Sequence, residues 1–450
     1  MSGNADWVRR DLRVVWHPCT QMKDHEQALP LVPIARGRGA WLEDFDGNRY
    51  LDAVSSWWTN LLGHADPRLG AALRVQLGEL EHVLLAGFTH GPVVELSEQL
   101  VARAPPGLAR CFYADSGSAA VEVALKMSFH WWRNRGATRR TKFVALEGAY
   151  HGETLGALAV GAVGLYRDSY APLLMEALSV PSPDAWAAAP GEDALACARR
   201  AADALDALLA ARADEVCALL VEPLVQCAAG MRMHHPEYLR RARAACDRHG
   251  VHLIADEVAV GMGRTGTLFA CEQSEVVPDF LLLGKGLTGG YLPLSVVLTS
   301  DAVYQEFYAE YATLRAFLHS HSYTGNALAC RVALATLAAL DGDRTLEANR
   351  ERARLLGAAL APLAAHPRVG ELRQCGMICA VELAPDGRGR TPYPWQERRG
   401  LRAYRHALGR GVLLRPLGNV LYLMPPYCVT PDEIALLGAV VAEGVELASA

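Results

Sequence analysis

The stretch from Val251 to Gly290 constrains the fold most, because two apolar runs in it end at residues that can do chemistry. The first run ends at Asp256, and the second, FLLL at 280–283, leads into Gly284-Lys285-Gly286. Continuous apolar runs of this length are typical of strands that are covered on both faces of a parallel sheet. Since open α/β sheets bind ligands at the carboxyl ends of their strands, we expect Asp256 and Lys285 at such a site.

Lysine is rare in this chain, and Lys285 is one of four lysines among 44 basic residues. A lysine at the end of a buried strand suits an amine that must lose its charge, because desolvation lowers its pKa and makes it nucleophilic. The flanking glycines would let a flat ligand approach the backbone, and Asp256 could hold a protonated pyridine nitrogen. These features predict a lysine that binds pyridoxal phosphate covalently. The alternative is a lysine that points into solvent from a strand end.

The composition argues against several classes of protein. With 450 residues, 51% of them apolar and 21% charged, we expect one large and one smaller domain, or two to three ordinary ones. A net charge of −5 indicates no basic surface for nucleic acid. The eleven cysteines form no Cys-x-x-Cys pair, and no apolar run suits a secretory signal or a membrane span. We therefore expect reduced thiols, no metal site and a cytoplasmic protein.

Alternating strand and helix patterns between residues 65 and 330 predict an α/β class, with a large domain built on a mainly parallel sheet. Residues 1–64 and 331–450 are expected to form a smaller α/β domain, with a hairpin turn at Asp46-Gly47. The candidate strands of the large domain are Arg110–Ala114, Lys142–Leu146, Ala157–Val160, Val216–Val221, Val251–Ala255, Phe280–Leu283 and Leu294–Thr299.

Two segments could hold a phosphate group. Asp115–Ala120 runs from a strand into a helix, and a Ser/Gly turn at a helix N-terminus offers free N–H groups and the positive end of the dipole. Simple helix capping is the alternative for this segment. His319–Asn326 opens a second helix, and its hydroxyl and N–H groups could supply another contact. Its two histidines, two residues apart and without an acidic neighbour, are a weak pattern for a metal site.

Aromatic residues and one arginine indicate a possible substrate site. Tyr150 follows the strand Lys142–Leu146 and could stack on a cofactor ring, or be a half-buried tyrosine with a hydrogen-bonded hydroxyl. Trp57 and Trp58 could line an apolar ligand site or pack in the core. Arg415 would suit a substrate carboxylate if it lies in a cleft, although a lone arginine is more often surface charge.

Taken in order, these motifs resemble the class III pyridoxal-phosphate aminotransferases of fold type I over nearly the whole chain. The residues that carry the likeness are Asp115–Ser118, Tyr150-His151-Gly152, Asp256-Glu257-Val258, Gly263-Arg264-Thr265-Gly266, Gly284-Lys285-Gly286 and Gly325-Asn326. The resemblance implies the PLP-transferase fold with a seven-stranded sheet, pyridoxal 5'-phosphate as the cofactor, and a homodimer with active sites at the subunit interface.

The resemblance also implies a role for individual side chains. Lys285 would hold the cofactor covalently and Asp256 would bind its pyridine nitrogen. Gly117 and Ser118 would bind the phosphate, and Tyr150 would stack on the ring and border the substrate. His321 and Ser322 would reach the phosphate from the other subunit, where the family more often has threonine than Ser322, and Ser320 would border the substrate.

Within the class, Trp16-His17-Pro18, Ser55–Trp58, Arg415-Pro416 and Tyr422–Tyr427 resemble the biotin-pathway branch. That branch transfers an amino group from S-adenosylmethionine to 8-amino-7-oxononanoate, giving 7,8-diaminononanoate by a ping-pong mechanism. The likeness implies that Trp57 and Trp58 flank the nonanoate chain and that Arg415 pairs its carboxylate.

This chain departs from the branch at Cys19, where the Trp-His-Pro segment is commonly followed by a tyrosine that contacts the substrates. A thiol cannot stack on an adenine, so the resemblance indicates the identity of the amino donor less strongly than that of the amino acceptor. The alternatives are a broad ω-amino acid transaminase that uses pyruvate or 2-oxoglutarate, a PLP-dependent aminomutase, and a binding protein with the same fold.

Overall fold

The computed structural model describes residues 3–189, 191–387 and 390–450, and the chain folds into two compact units. The first unit contains residues 1–67 and 349–450, and the second contains residues 68–348. The sequence predicted the corresponding boundaries after residues 64 and 330.

The strands are listed in chain order, from the N-terminal hairpin to the C-terminal edge. They are β1 Ile34–Arg38, β2 Trp41–Asp44, β3 Arg49–Asp52, β4 Leu108–Ala114, β5 Lys142–Leu146, β6 Leu178–Val180, β7 Val216–Val221, β8 Val225–Gln226, β9 Arg232–Met233, β10 His252–Asp256, β11 Phe280–Leu283, β12 Ser295–Ser300, β13 Val369–Cys375, β14 Ile378–Leu383, β15 Val412–Leu413 and β16 Val420–Leu423.

The helices follow the same order. They are α1 Asn4–Val14, α2 Asp24–Gln27, the short turn α3 Ser55–Trp58, α4 Pro67–Leu77, α5 Gly91–Arg103, α6 Gly117–Asn134, α7 Leu155–Ala159, α8 Gly164–Tyr170, α9 Ala194–Arg212, α10 Glu237–His249, α11 Asp301–Gln305, α12 Ala327–Gly342, α13 Thr345–Leu360, α14 Arg399–Gly409 and α15 Pro431–Ser449.

The second unit is built on a seven-stranded sheet with the order β4-β12-β11-β10-β7-β5-β6. Strand β12 runs antiparallel to both of its neighbours, β11 and β4, and the other adjacent pairs in this sheet are parallel. The strands β7, β10 and β11 are buried along their whole length, as expected of strands covered on both faces. The predicted α/β class and the mainly parallel seven-stranded sheet are confirmed.

In the seven-stranded sheet, one predicted strand was wrong and one strand was missed. Residues Ala157–Val160 lie in and just after helix α7, whose first N–H groups at Gly156 and Ala157 donate to the Glu122 carboxylate at 2.7 and 3.4 Å. The outer strand of the sheet is instead β6, which has three residues and pairs in parallel with β5. A strand of that length contains too little periodicity to be recognised in a sequence.

Helix α6 provides the main packing surface on the sheet. Its buried face includes Ala120, Val121, Val123 and Ala124, all fully buried in the core that also contains Phe280. Small side chains on this face let the helix lie close to the sheet. Because β4 is antiparallel to β12 and β12 is antiparallel to β11, β4 ends at the same edge of the sheet as β11, and α6 follows it, beginning at Gly117.

The first unit contains two small sheets, with the orders β1-β2-β3-β15 and β13-β14-β16. Strands β2 and β3 form the predicted antiparallel hairpin. The structure describes all eleven cysteines and shows no disulfide between them. No helix within the described ranges combines the length and the apolar character that crossing a bilayer requires.

Candidate active site

Three neighbouring strands of the large sheet deliver charged side chains to the same edge. Strand β10 ends at Asp256, β7 is followed by Glu222, and β11 is followed by Gly284 and Lys285. Because β7, β10 and β11 run in parallel and lie side by side, their carboxyl ends meet at one edge. The sequence predicted Asp256 and Lys285 at this edge.

Asp256 is fixed by two hydrogen bonds. His151 Nδ1 lies 2.8 Å from one carboxylate oxygen, and the backbone N–H of Val258 donates to the other at 3.1 Å. Burial lowers the pKa of His151, but the hydrogen bond to Asp256 and the charges of Asp256 and Glu222 outweigh burial, so its pKa is raised. The buried His151 Nε2 has no hydrogen-bond partner among the described residues.

Glu222 is a buried carboxyl that titrates near neutral pH. It accepts hydrogen bonds from the backbone N–H groups of Tyr150 at 3.0 Å and Cys227 at 3.1 Å. Burial raises the pKa of Glu222 from its usual 4.5 to about 7, against the opposing charge of His151. This group can therefore exchange a proton with its surroundings at physiological pH.

Lys285 is a strained residue whose amine is easily deprotonated. Burial lowers its pKa, and nearby Cys227, Asp256 and Glu222 oppose that shift without cancelling it. Its backbone φ is 43°, in the left-handed region that L-residues adopt at a cost. Left-handed backbone of this kind clusters at functional sites, where the surrounding fold over-determines it.

The turn before α6 is shaped for close approach of a ligand to the backbone. Ser116 caps the helix by accepting from the Ala119 N–H at 3.3 Å. A Cβ atom on Gly117 would lie 2.7 Å from Val258 Cγ1, so only glycine fits there. The N–H groups of Gly117 and Ser118 lie in the first turn of the helix and have no intrahelical acceptor.

Tyr150 lies in the loop that follows β5. Its hydroxyl donates to Glu153 Oε1 at 2.9 Å, and its ring centroid lies 6.2 Å from that of Tyr166. The predicted stacking of Tyr150 on a cofactor ring stays a prediction.

The segment containing Ser320, His321 and Ser322 contacts other parts of the second unit through His82 and Asp115. His319 Nε2 lies 3.1 Å from His321 Nε2, and the carbonyl oxygen of the exposed Ser322 lies 2.7 Å from His82 Nε2. His321 Nδ1 lies 3.9 Å from a carboxylate oxygen of Asp115, which directly precedes the α6 cap. The segments 115–118 and 320–322 of one chain therefore come within ion-pair distance of each other.

In the first unit, a cleft of about 840 Å³ collects three of the four predicted substrate residues of that unit, Cys19, Trp57 and Arg415. The Arg415 guanidinium lies over the Trp57 ring, 4.1 Å from its centroid. Within the described ranges, Arg415 has no carboxylate at ion-pair distance, so its charge is available to an anionic ligand. Trp58 does not line this cleft; it is buried, and its indole N–H donates to the Tyr422 hydroxyl at 3.1 Å.

Two members of the site, Glu222 and His151, were not predicted from the sequence. Glu222 follows a buried strand in the same way as Asp256, so the strand-end rule could have found it. His151 stood in the quoted Tyr150-His151-Gly152 motif but received no role, because its contact with Asp256 spans 105 residues.

The chain matches the family model described as "Aminotransferase class-III" over residues 22–442. An adenosylmethionine-8-amino-7-oxononanoate aminotransferase from Geobacter sulfurreducens is 43% identical over 96% of this chain and 95% of that protein. The protein of the same name from Helicobacter pylori is 45% identical over 94% of each chain.

Two solved structures extend the comparison. The crystal structure of the adenosylmethionine-8-amino-7-oxononanoate aminotransferase from Methanocaldococcus jannaschii has a TM-score of 0.93 and 35% identity, covering 98% of this chain and 99% of that one. An omega transaminase from Pseudomonas jessenii in complex with PMP has a TM-score of 0.93 and 28% identity, covering 98% of each chain.

Proposed function

Since the chain belongs to the class III aminotransferases, which are pyridoxal-phosphate-dependent enzymes, we propose that it transfers the amino group of S-adenosylmethionine to 8-amino-7-oxononanoate, giving 7,8-diaminononanoate in biotin synthesis. The observation that carries this proposal is the identity of 43% and 45% with relatives of that name, each over more than nine tenths of the chain. The family predicted from the sequence is confirmed.

The residues of the second unit fit pyridoxal phosphate. The buried His151 Nε2 lacks a partner among the described residues, and the Lys285 amine is held with a lowered pKa. Glycine at position 117, where a Cβ atom would lie 2.7 Å from Val258 Cγ1, leaves the start of α6 without a side chain at that position. We propose that Lys285 holds the cofactor covalently, that Asp256 binds its pyridine nitrogen, and that the α6 turn binds its phosphate with Gly117 and Ser118.

The cofactor supplies an electron sink that stabilises negative charge on the substrate carbon. Lys285 moves the proton at that carbon, because an amine with a lowered pKa is a competent general base and then a general acid. Asp256 stays oriented by its contacts with His151 and the Val258 N–H, which keeps its carboxylate aimed at one position. The charge of Glu222 helps to raise the pKa of His151.

The substrate carboxylate is proposed to pair with Arg415. This guanidinium is pre-oriented by the Trp57 ring and has no competing carboxylate at ion-pair distance in the described ranges. The planar guanidinium of an arginine can donate two parallel hydrogen bonds to a carboxylate, whereas the ammonium of a lysine acts as a point charge. Trp57 would flank the nonanoate chain, and the role of Trp58 beside that chain stays a prediction.

The amino donor depends on the segment that carries Cys19. Cys19 lines the cleft of the first unit with a left-handed φ of 53°. We retain S-adenosylmethionine as the proposed donor because the relatives are named for it. A broad ω-amino acid transaminase is the second candidate, favoured by the close structural likeness to an omega transaminase.

We further propose a cytoplasmic homodimer. The absence of disulfides among eleven cysteines supports a reducing compartment. The second unit exposes large apolar side chains near the segment with Ser322: Phe88 is 63% exposed, Leu314 74%, Leu318 76% and Tyr323 63%. A surface of this kind is typical of a protein interface, and a second copy of this chain would cover it.

Half-reactions test the proposed substrate directly. The purified protein, converted to its pyridoxamine-phosphate form, is mixed separately with 8-amino-7-oxononanoate, 2-oxoglutarate and pyruvate, and the return of the pyridoxal absorbance is followed. We expect 8-amino-7-oxononanoate to restore it fastest. If 2-oxoglutarate or pyruvate does so and 8-amino-7-oxononanoate does not, the ω-transaminase is the correct function.

Lys285→Ala tests the covalent link. We expect loss of turnover and loss of the absorbance of the bound cofactor, whereas Lys142→Ala should retain both. Lys142 is a suitable control because it pairs with Glu176 at 2.8 Å on the surface. Full activity of the Lys285→Ala enzyme would contradict the assignment.

A further inference from the structure

Two parallel strands of the first unit end side by side at the proposed carboxylate site. Strand β15 pairs with β3 so that Leu413 lies opposite Asp52. Arg415 lies just after β15, and the turn that carries Trp57 lies just after β3. Because neighbouring parallel strands end at the same edge of a sheet, the backbone brings this arginine and this tryptophan together. Their side chains stack, with the guanidinium 4.1 Å from the ring centroid.

The turn that carries Trp57 needs support from outside, because its backbone is strained. Ser56 and Trp57 have φ values of 45° and 74°, in the left-handed region that L-residues adopt at a cost. Such strain persists only where the surrounding contacts over-determine the backbone. The buried Asp52 carboxylate supplies two of these contacts, because it accepts from the Ser56 hydroxyl at 2.8 Å and from the Val54 N–H at 3.1 Å.

His64 provides a third hydrogen bond to the Asp52 carboxylate. Its Nε2 lies 3.0 Å from Asp52 Oδ2, the same oxygen that accepts from Ser56. Since a carboxylate accepts hydrogen bonds, the imidazole N–H donates in this contact. A buried carboxylate is stable only when donors surround it. The imidazole therefore fixes the orientation of the carboxylate, and with it the position from which Asp52 holds Ser56.

His64 is itself held by the strand pair β1–β2. Its backbone exchanges two hydrogen bonds with that of Gly39, at 2.7 and 3.0 Å. Gly37 on β1 faces the imidazole, and a Cβ atom added to Gly37 would lie 2.7 Å from His64 Cβ and 2.8 Å from His64 Cγ. Glycine at position 37 therefore leaves the space that the imidazole occupies.

We propose that His64 is a positioning residue for the substrate carboxylate. It orients Asp52, which holds the left-handed turn and so keeps the Trp57 ring under the Arg415 guanidinium. His64 acts through these residues and does not need to touch the substrate. This inference rests on the proposed function, in which Arg415 pairs with the carboxylate of 8-amino-7-oxononanoate.

The test measures how well the enzyme distinguishes 8-amino-7-oxononanoate from its methyl ester. His64→Leu removes the donor to Asp52 without adding a branch at Cβ, and His64→Gln keeps an N–H donor at a similar reach. In His64→Leu we expect KM for the acid to rise about tenfold and KM for the ester at most about threefold. The kcat for the acid should stay within about twofold, because the residues that move the proton are unchanged. His64→Gln should restore most of the preference for the acid.

His366→Leu is the matched control, and Gly37→Ala is an independent perturbation of the same ring. His366 also belongs to the first unit, is 14% exposed against 12% for His64, and lies 3.2 Å from a carboxylate oxygen of Glu446. His366→Leu should leave both KM values within about twofold of the wild type. In Gly37→Ala the added Cβ atom must displace the imidazole, so the preference for the acid should fall as it does in His64→Leu.

A double-mutant cycle separates positioning from general damage to the fold. If His64 acts through Arg415, His64→Leu should raise KM for the acid about tenfold in the wild type but at most about twofold in Arg415→Met. Equal effects in the two backgrounds would overturn the inference, as would an unchanged preference for the acid in either His64→Leu or Gly37→Ala. If Arg415→Met itself left that preference unchanged, the proposed carboxylate contact would be wrong and this inference with it.

Discussion

Replacing Gly152 with alanine tests whether the loop after β5 shapes the phosphate turn. Gly152 has a φ of +120°, and a Cβ atom there would lie 2.3 Å from Ser118 Cβ and 2.9 Å from Ser118 Cα. Gly148 in the same loop has a φ of +71°, and its added Cβ would make an ordinary contact of 3.5 Å with Ala229 Cβ. The two glycines therefore form a matched pair, one crowded against Ser118 and the other not.

The magnitudes follow from these geometries. Gly148→Ala places an L-residue in the left-handed region, which costs about 1–2 kcal/mol. Gly152→Ala places an alanine at a φ of +120°, a backbone conformation that is found almost only in glycine, and this strain costs about 1–3 kcal/mol of stability. The added Cβ atom must also displace the backbone of Ser118, and such overpacking destabilises the fold by about 1–3 kcal/mol more. We expect the crowded variant to be about 2 kcal/mol less stable than its control.

Thermal unfolding of the two apoproteins measures this difference. At about 2–4 °C for each kcal/mol in a domain of this size, Gly152→Ala should melt about 5 °C below Gly148→Ala. Because the displaced residue is Ser118, the affinity for pyridoxal phosphate should also fall about tenfold or more relative to pyridoxal, in Gly152→Ala only. Equal melting temperatures and equal cofactor affinities in the two variants would refute the reasoning.

Three further predictions concern charged groups. Glu222 keeps its proton up to about pH 7 when folded but only to about 4.5 when unfolded, so the wild type loses up to about 3 kcal/mol of stability as pH rises between these values. Glu222→Gln should remove this contribution from apoprotein melting curves between pH 5 and 8 and leave that of Glu257, whose pKa burial also raises to about 7; parallel curves for the wild type and the variant would contradict it. Arg415→Met should raise KM for the oxononanoate acid about 10–100-fold, and its methyl ester should respond little; equal effects would argue against a carboxylate contact. Glu122→Ala leaves the first N–H groups of α7 without their acceptor and should cost about 1 kcal/mol in urea unfolding, whereas Glu122→Gln should retain most of the stability.

The parallel sheet was predictable because each strand is a local pattern. Three strands, β5, β7 and β11, coincide with the predicted ranges, since each is a short apolar run with clear ends. The run Ala157–Val160 has the same appearance and is helical. Its helix is initiated by Glu122, which lies more than 30 residues earlier, and no local pattern records that contact.

Part of the site was predictable because open α/β sheets bind ligands at the carboxyl ends of their strands. Asp256 and Lys285 follow buried runs and were found by that rule. Glu222 also follows a buried run, but it directly precedes Pro223, and a residue before a proline is typical of a loop. The contact that raises the pKa of His151, its hydrogen bond to Asp256, joins residues far apart in the chain.

The turn Ser55–Trp58 shows most clearly what a sequence cannot reveal. All four residues have positive φ values between 45° and 74°, and none of them is a residue type that favours this conformation. The buried Asp52 carboxylate stabilises the turn by accepting from the Val54 N–H at 3.1 Å and the Ser56 hydroxyl at 2.8 Å.

The consequence of this turn is a separation of the two neighbouring tryptophans. Trp58 is buried with its N–H donated to Tyr422, whereas Trp57 is 39% exposed and lies under the Arg415 guanidinium. A right-handed helical turn or a strand would direct consecutive side chains differently, so the left-handed backbone is what places one tryptophan in the core and the other in the cleft. The backbone strain is therefore tied to the orientation of Arg415, the group that we propose selects for a carboxylate.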